Sequence, residues 1–201
     1  MNKKIFNHIN LITFILVFCV GWIDIIAFKL FVFDRTGFHS AKASVIGESL
    51  FTGDIAKIAL LVTILSAFIF GAFIGTKITM EKGCKSGLLV TSFSLIVSYF
   101  MKDATIFLIP FALGCMNAST SLTKVSRTTH LSGPTTDIGM HLAKGEYDKA
   151  IFYALRWIAL PLGAFIGLIL LDKLPLIVVF LAPSIIIGLV AIIFDKYLTI
   201  V

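Results

Sequence analysis

Arg127-Thr128-Thr129-His130-Leu131-Ser132-Gly133-Pro134-Thr135-Thr136-Asp137-Ile138-Gly139 is dense in hydroxyls and carries an Arg, a His and an Asp, inside a chain that is otherwise mostly hydrocarbon. It has a counterpart 92 residues earlier, where Arg35-Thr36 falls on Arg127-Thr128, Ser40 on Ser132 and Ile46-Gly47 on Ile138-Gly139. Beyond it, Gly53 meets Gly145 and Lys57 meets Lys149, and the pentapeptide Gly-Ala-Phe-Ile-Gly ends both copies at Gly71–Gly75 and Gly163–Gly167. This ungapped window of 41 positions holds 14 identities. Apolar composition alone does not supply Arg, Lys and Gly matches at one offset, so we read an internal duplication.

The residues around the two copies are those of a membrane protein. Hydrophobic residues make up 58% of the chain and charged residues 14%, with a mean hydropathy of +1.02, beyond what a soluble domain needs. Several runs reach the roughly 20 apolar residues that cross a hydrocarbon core. We place spans at about 9–33, 55–78, 87–101, 104–123, 150–171 and 174–194. The polar segments 35–52 and 124–148 are too short and too polar for ordinary spans. They suit re-entrant or interfacial half-helices, whose backbone needs protein or a wet cavity to satisfy it.

The fold class is therefore an all-α polytopic membrane protein, one membrane domain over residues 1–201, with a first repeat at 9–101 and a second at 104–198. Three spans per repeat is an odd number, so the second copy enters the membrane upside-down, the inverted repeat of many secondary transporters. Lys/Arg bias sets the orientation. Ten basic residues (Lys3, Lys4, Lys77, Lys82, Lys85, Lys124, Arg127, Lys144, Lys149 and Lys196) fall on one side and five (Arg35, Lys42, Lys57, Lys102 and Lys173) on the other. Both termini are expected in the cytoplasm. The net charge of +6 reads as this topology, not as nucleic-acid binding. Cys19, Cys84 and Cys115 have neither disulfide nor metal spacing. The apolar run after Lys3-Lys4 ends in no small-residue cleavage site, so we read an uncleaved first span.

Asp24 lies inside the first span and Asn117 holds the matching place in the fourth. A carboxylate at a helix centre costs roughly 2.5–3.5 kcal/mol on insertion scales, so it is seldom kept without a partner or a task. A structural ion pair with Arg156 is the plain alternative. Ser132-Gly133-Pro134 reads as a helix start with Ser132 as N-cap, and its amides would favour an anionic or polar group. Asp137 and His141 stand four apart on one helical face, suited to a proton relay, or to a metal if a third ligand converges; a solvated surface pair is the plainer reading. Ala67, Gly71 and Gly75 recur every fourth residue, as do Ala159, Gly163 and Gly167. Such rows let membrane helices approach closely, and we expect them where the second span meets the fifth.

Gly21-Trp22-Ile23-Asp24, Gly114-Cys115-Met116-Asn117-Ala118, Thr128-Thr129-His130-Leu131-Ser132-Gly133 and Thr136-Asp137-Ile138-Gly139 together resemble the YoaK-like transmembrane proteins of bacteria, a domain of unknown function. The resemblance spans nearly the whole chain. It implies an inner-membrane location and about six spans, and it names no substrate. The family's first copy reads Ser-His-x-Thr-Gly-Asn where this chain has Phe38-His39-Ser40-Ala41-Lys42.

The function expected from these residues is a small-solute transporter or channel. Its site would be lined by Asp24, Asn117, Arg127, Thr128, His130, Ser132 and Asp137, with Arg35, Thr36 and Ser40 as first-repeat counterparts. A non-transporting sensor or scaffold is the alternative, and an intramembrane hydrolase setting His130 or His141 against Ser132 ranks third. No catalytic set, cofactor or metal is expected. The partners are the lipid bilayer and a small solute or ion, with a homo-oligomer left open.

Overall fold

The computed structural model describes residues 3–32, 39–129 and 131–201, without the side chains of 3–7, 31, 32 and 40. Among these residues all regular elements are helical: α1 Lys3–Ala27, continued by a π-helical turn Phe28–Val32; α2 His39–Thr52; α3 Ile55–Lys82; α4 Cys84–Phe100; α5 Thr105–Ser121; α6 Ser132–Ala143; α7 Tyr147–Lys173; and α8 Leu176–Ile193. Five of these stretches, in α1, α3, α5, α7 and α8, are long and apolar enough to cross a membrane, the pattern of a multi-pass membrane protein. At 17 residues, α4 is about 25 Å long. With 14 and 12 residues, α2 and α6 reach only about 21 and 18 Å, short of the roughly 30 Å core. Ile69 and Phe73 on α3, Ile158 and Phe165 on α7, and Ile185 on α8 point outward, while polar Asp24, Thr91, Asn117 and Ser184 are buried. That distribution suits a hydrocarbon solvent.

Positions equivalent at the offset of 92 end their helices alike. Gly53 and Gly145, equivalent at the offset of 92, both take left-handed φ, +72° and +69°, a region open to glycine at little cost. Behind them Asp54 N–H donates to Ser49 O and Glu146 N–H to His141 O, each at 2.9 Å. The same helix-ending motif therefore closes α2 and α6 in the two copies.

Helix pairing carries the duplication further, by exchange. A β-carbon added at Gly71 would run into the Phe111 carbonyl, and one at Gly163 into the Phe18 carbonyl. Likewise Gly114 abuts the backbone of Phe68, and Gly21 that of Leu160. So α3 lies against α5 and α1 against α7, each copy's first span on the other copy's second. Both pairs run parallel, with Gly75 level with Cys115, and Gly167 against Trp22.

This corrects the expected seam. The small-residue rows of α3 and α7 do not meet each other; each receives a helix of the opposite repeat. The reason is reciprocal close approach, because Gly114 and Gly21 present their own bare backbones to α3 and α7.

The third spans, α4 and α8, pair with one another. Ser92 Oγ donates to Ser184 O at 2.8 Å, and 92 and 184 are equivalent positions. On either side, Lys85 reaches Asp195 at 3.3 Å and Tyr99 packs on Phe180 with ring centroids 5.5 Å apart. Rising numbers on one helix meet falling numbers on the other, so α4 and α8 are antiparallel.

One end of the bundle gathers the start of α1, the end of α5 and the chain's C-terminal segment. His8 stacks on Tyr197 at 4.4 Å, Thr123 bridges Ile200, and Val201 N–H donates to Leu122 O at 2.9 Å. Hence α1 begins where its counterpart α5 ends.

Candidate functional site

Two polar groupings sit inside this apolar frame. The first is a knot at the end of α5. Asn117 is 8% exposed, and its Oδ1 accepts the backbone N–H groups of Thr128 at 3.1 Å and Thr129 at 3.3 Å. The Thr128 hydroxyl meets that of Thr120 at 3.3 Å. Asn117 thus folds the polar segment back onto α5, satisfying donors that hydrocarbon could not. Cys115 Sγ points to the Gly87 carbonyl at 3.5 Å and Ser119 abuts Gly87. Asn117 is accordingly within about 7.5 Å, along the bundle, of the Ser92–Ser184 crossing.

Removing the acceptor leaves two buried amides unmet, at about 1–3 kcal/mol each. Asn117→Leu is expected to lower the melting temperature in detergent by at least about 5 °C, while Asn117→Asp, which keeps an acceptor, retains the fold. An Asn117→Leu protein melting with wild type would remove Asn117 from this role.

The second grouping lies between α6 and α7. Asp137 stands close enough to Tyr153 and Arg156 to act on both through space. Tyr153 stacks on His141, centroids 5.4 Å apart and ring planes 5° from parallel. Arg156 is 2% exposed, with its guanidinium carbon 5.6 Å from the Phe152 ring centroid and 5.7 Å from that of Tyr153.

His141 pairs with Glu146, not Asp137: Nδ1 to Oε2 is 2.6 Å. The helix-closing turn at Gly145 brings Glu146 back beneath His141, while Asp137 faces α7. Lys149 Nζ donates to the other Glu146 oxygen at 2.8 Å. Hydrogen bonds from Lys149 and His141 hold the Glu146 carboxyl below its ordinary pKa of 4.5. A carboxyl depressed in the folded state stabilises the turn above that ordinary value, and the contribution is lost as pH falls through the lower folded value. Amide exchange over 145–150, corrected for intrinsic rates, is expected to quicken below pH 4.5, and Glu146→Gln should remove that dependence. Identical pH profiles for the two proteins would contradict it.

The remaining expected residues divide. Asp24 is 2% exposed within α1. The α1–α7 contacts, Gly21 by Leu160, Phe18 by Gly163 and Trp22 by Gly167, set it about 7–13 residues, or roughly 10–20 Å, along the bundle from Arg156. The charges that act on Arg156 are those of Tyr153 and Asp137, so the structure shows no Asp24–Arg156 ion pair. Arg127 and Ser132 are exposed and stand outside the Asn117 knot. Ser132 does not cap α6: Leu131 is the capping residue, with no side-chain bond, because its carbonyl already accepts Thr135 N–H at 2.9 Å. Pro134 still falls in the first turn, where a missing N–H is harmless. His130, Arg35 and Thr36, and the side chain of Ser40, lie outside the described residues. Among the described residues no three His, Cys, Asp or Glu side chains converge as metal ligands.

Sequence reasoning gave Arg156 only a partner's role and passed over Lys42. Lys42 is buried on α2 and its repeat counterpart Pro134 is buried on α6, each on a helix that is mostly exposed. Charge inside an apolar run was the available signal for Arg156; Lys42 sat in a polar segment and gave none.

A family profile described as protein of unknown function (DUF1275) matches residues 12–193. The chain belongs to this family. The match covers both repeats and accords with the YoaK-like resemblance carried by the Gly21–Asp24 and Thr128–Gly133 motifs. In DUF1275 terms the matched region runs from inside α1 to the end of α8, so every element of the Asn117 knot and of the α6–α7 grouping lies within it. Comparison of this DUF1275 chain with curated proteins and with solved structures gives no match.

Proposed function

We propose that this protein is a small-solute transporter of the bacterial inner membrane, built from two inverted repeats with its polar site near the middle of the bilayer. The observation that carries this reading is Asp24, buried inside an apolar helix, with Asn117 buried in the equivalent place of the other repeat. Two such groups near the level of the repeat crossing are what a midplane site requires. The antiparallel meeting of α4 and α8 at equivalent serines supports inversion. An axis along the membrane normal would relate parallel helices, whereas an axis in the membrane plane relates antiparallel ones. In this reading α4 is the sixth span, α2 and α6 are the half-helices, and the lysine-rich end holding both termini is cytoplasmic.

The scaffold alternative requires an exposed small-residue seam. Those rows are covered within the fold by α5 and α1, which favours transport. The test is charge movement recorded from proteoliposomes adsorbed to a solid support, with amino acids, carboxylates and inorganic ions applied in turn. A transient current seen with wild type and absent from protein-free liposomes is expected from at least one class. Silence with all three would contradict transport.

A further inference from the structure

Arg156 is a charge at membrane depth without a bonded counter-ion among the described residues: no carboxylate lies within ion-pair distance, and its Nε has no hydrogen-bond partner. The α1–α7 register brings other unmet groups to the same level. Arg156 belongs to the stripe of α7 that continues through Gly163 to face α1. On α1 the corresponding level falls near residues 11–14. There Thr13 Oγ1 is buried without a partner, and Asn10 Oδ1, one turn nearer the end of the bundle, is likewise unmet. Phe152 and Tyr153 wall the guanidinium with ring faces, and Asp137 acts on it from α6 without reaching bonding distance.

We propose that Arg156, with Asn10 and Thr13, forms a binding site for a small anion, the class of solute this protein carries. The inference rests on the transport reading above for the word "carries", and on the Arg156 environment for the site itself. A guanidinium flanked by aromatic faces offers its N–H edge to an oxyanion. Thr13 donates or accepts as the ligand needs, and Asn10 supplies both a donor pair and an acceptor. An anion entering here meets the Arg156 Nε–H and the Thr13 hydroxyl, two donors that otherwise stay unmet, while the Asn10 Oδ1, an acceptor, is met only by an anion that carries its own proton, such as dihydrogen phosphate. The Asp137 carboxylate, set further off, limits the charge the site tolerates and favours a monoanion.

The test uses the full chain in phosphatidylcholine nanodiscs, at constant ionic strength in sodium methanesulfonate, with chloride, acetate and inorganic phosphate as probes. At saturation at least one probe is expected to raise the wild-type melting temperature by about 3 °C or more. Arg156→Met should fold, because replacing an uncompensated buried charge by a hydrophobe is often neutral or stabilising, and should lose that shift. Arg156→Lys keeps the charge without the fork and should bind the same probe at least tenfold more weakly. No shift with any probe overturns the site, as does a wild-type response from Arg156→Met. If Arg156→Met does not fold, wild-type affinity in Arg156→Lys overturns it. Anion binding without charge movement in proteoliposomes would sink the transport reading and leave the site standing. Charge movement indifferent to all three anions would do the reverse.

Discussion

Gly71→Leu and Gly163→Leu are each expected to abolish the folded protein, leaving aggregate and no monodisperse peak on size exclusion in detergent. At both positions even a β-carbon would collide with the backbone of a facing helix, Phe111 for Gly71 and Phe18 for Gly163. Neither obstacle is a side-chain end that can swing aside. Overpacking a core usually costs about 1–3 kcal/mol because side chains shift; here two helix axes must separate along the whole α3–α5 or α1–α7 contact. The exchange of helices between repeats makes the two substitutions equivalent, so their effects should match. Gly188→Leu is the control. A β-carbon there meets the Ser92 hydroxyl at 3.0 Å, the end of a small side chain rather than a backbone, and the variant should still yield folded protein. Normal yields for either seam variant would contradict the exchanged pairing.

Asp24→Asn is expected to leave the fold intact and abolish solute-driven charge movement, a loss of at least tenfold at every pH from 5 to 8. The isostere keeps the shape that Asp24 occupies inside α1 and removes the ionisable oxygen. If transport needs a charge that is alternately exposed and sequestered at that depth, nothing else on the described part of α1 replaces it: the neighbours Ile23, Ile25 and Ile26 are all buried hydrocarbon. Melting temperature and flux are to be read on the same preparation. Equal flux from wild type and variant would make Asp24 a structural residue and end its assignment to the site.

How much of this was legible in the chain differs from element to element. The helices were legible because apolar runs broken by Gly and charge have few alternative structures in hydrocarbon, and α3, α7 and α8 fall where hydropathy set them. The glycines at the offset of 92 were legible as backbone positions: Gly71 and Gly163 each face a helix backbone at close range, and Gly53 and Gly145 take left-handed φ. Partner choice was not legible. The glycines that decide it on the facing helices, Gly21 and Gly114, stand 93 residues apart rather than 92 and fall outside the ungapped window. His141 illustrates the same limit at close range: spacing alone favoured Asp137, and the turn at Gly145 delivered Glu146 instead. For Arg156, sequence offered a charge and a plausible distant partner, while the α1–α7 register brings it to the level of Asn10 and Thr13.

The central claim, that the second repeat enters the membrane upside-down relative to the first, is tested most directly at one pair of equivalent positions. Thr52 and Lys144 end α2 and α6 at the offset of 92, and both are exposed. Single cysteines there, in a background without Cys19, Cys84 and Cys115, would be labelled in intact cells with a membrane-impermeant maleimide, before and after permeabilisation. Thr52→Cys is expected to label in intact cells and Lys144→Cys only after permeabilisation. Labelling of both from the same side would contradict the inverted repeat.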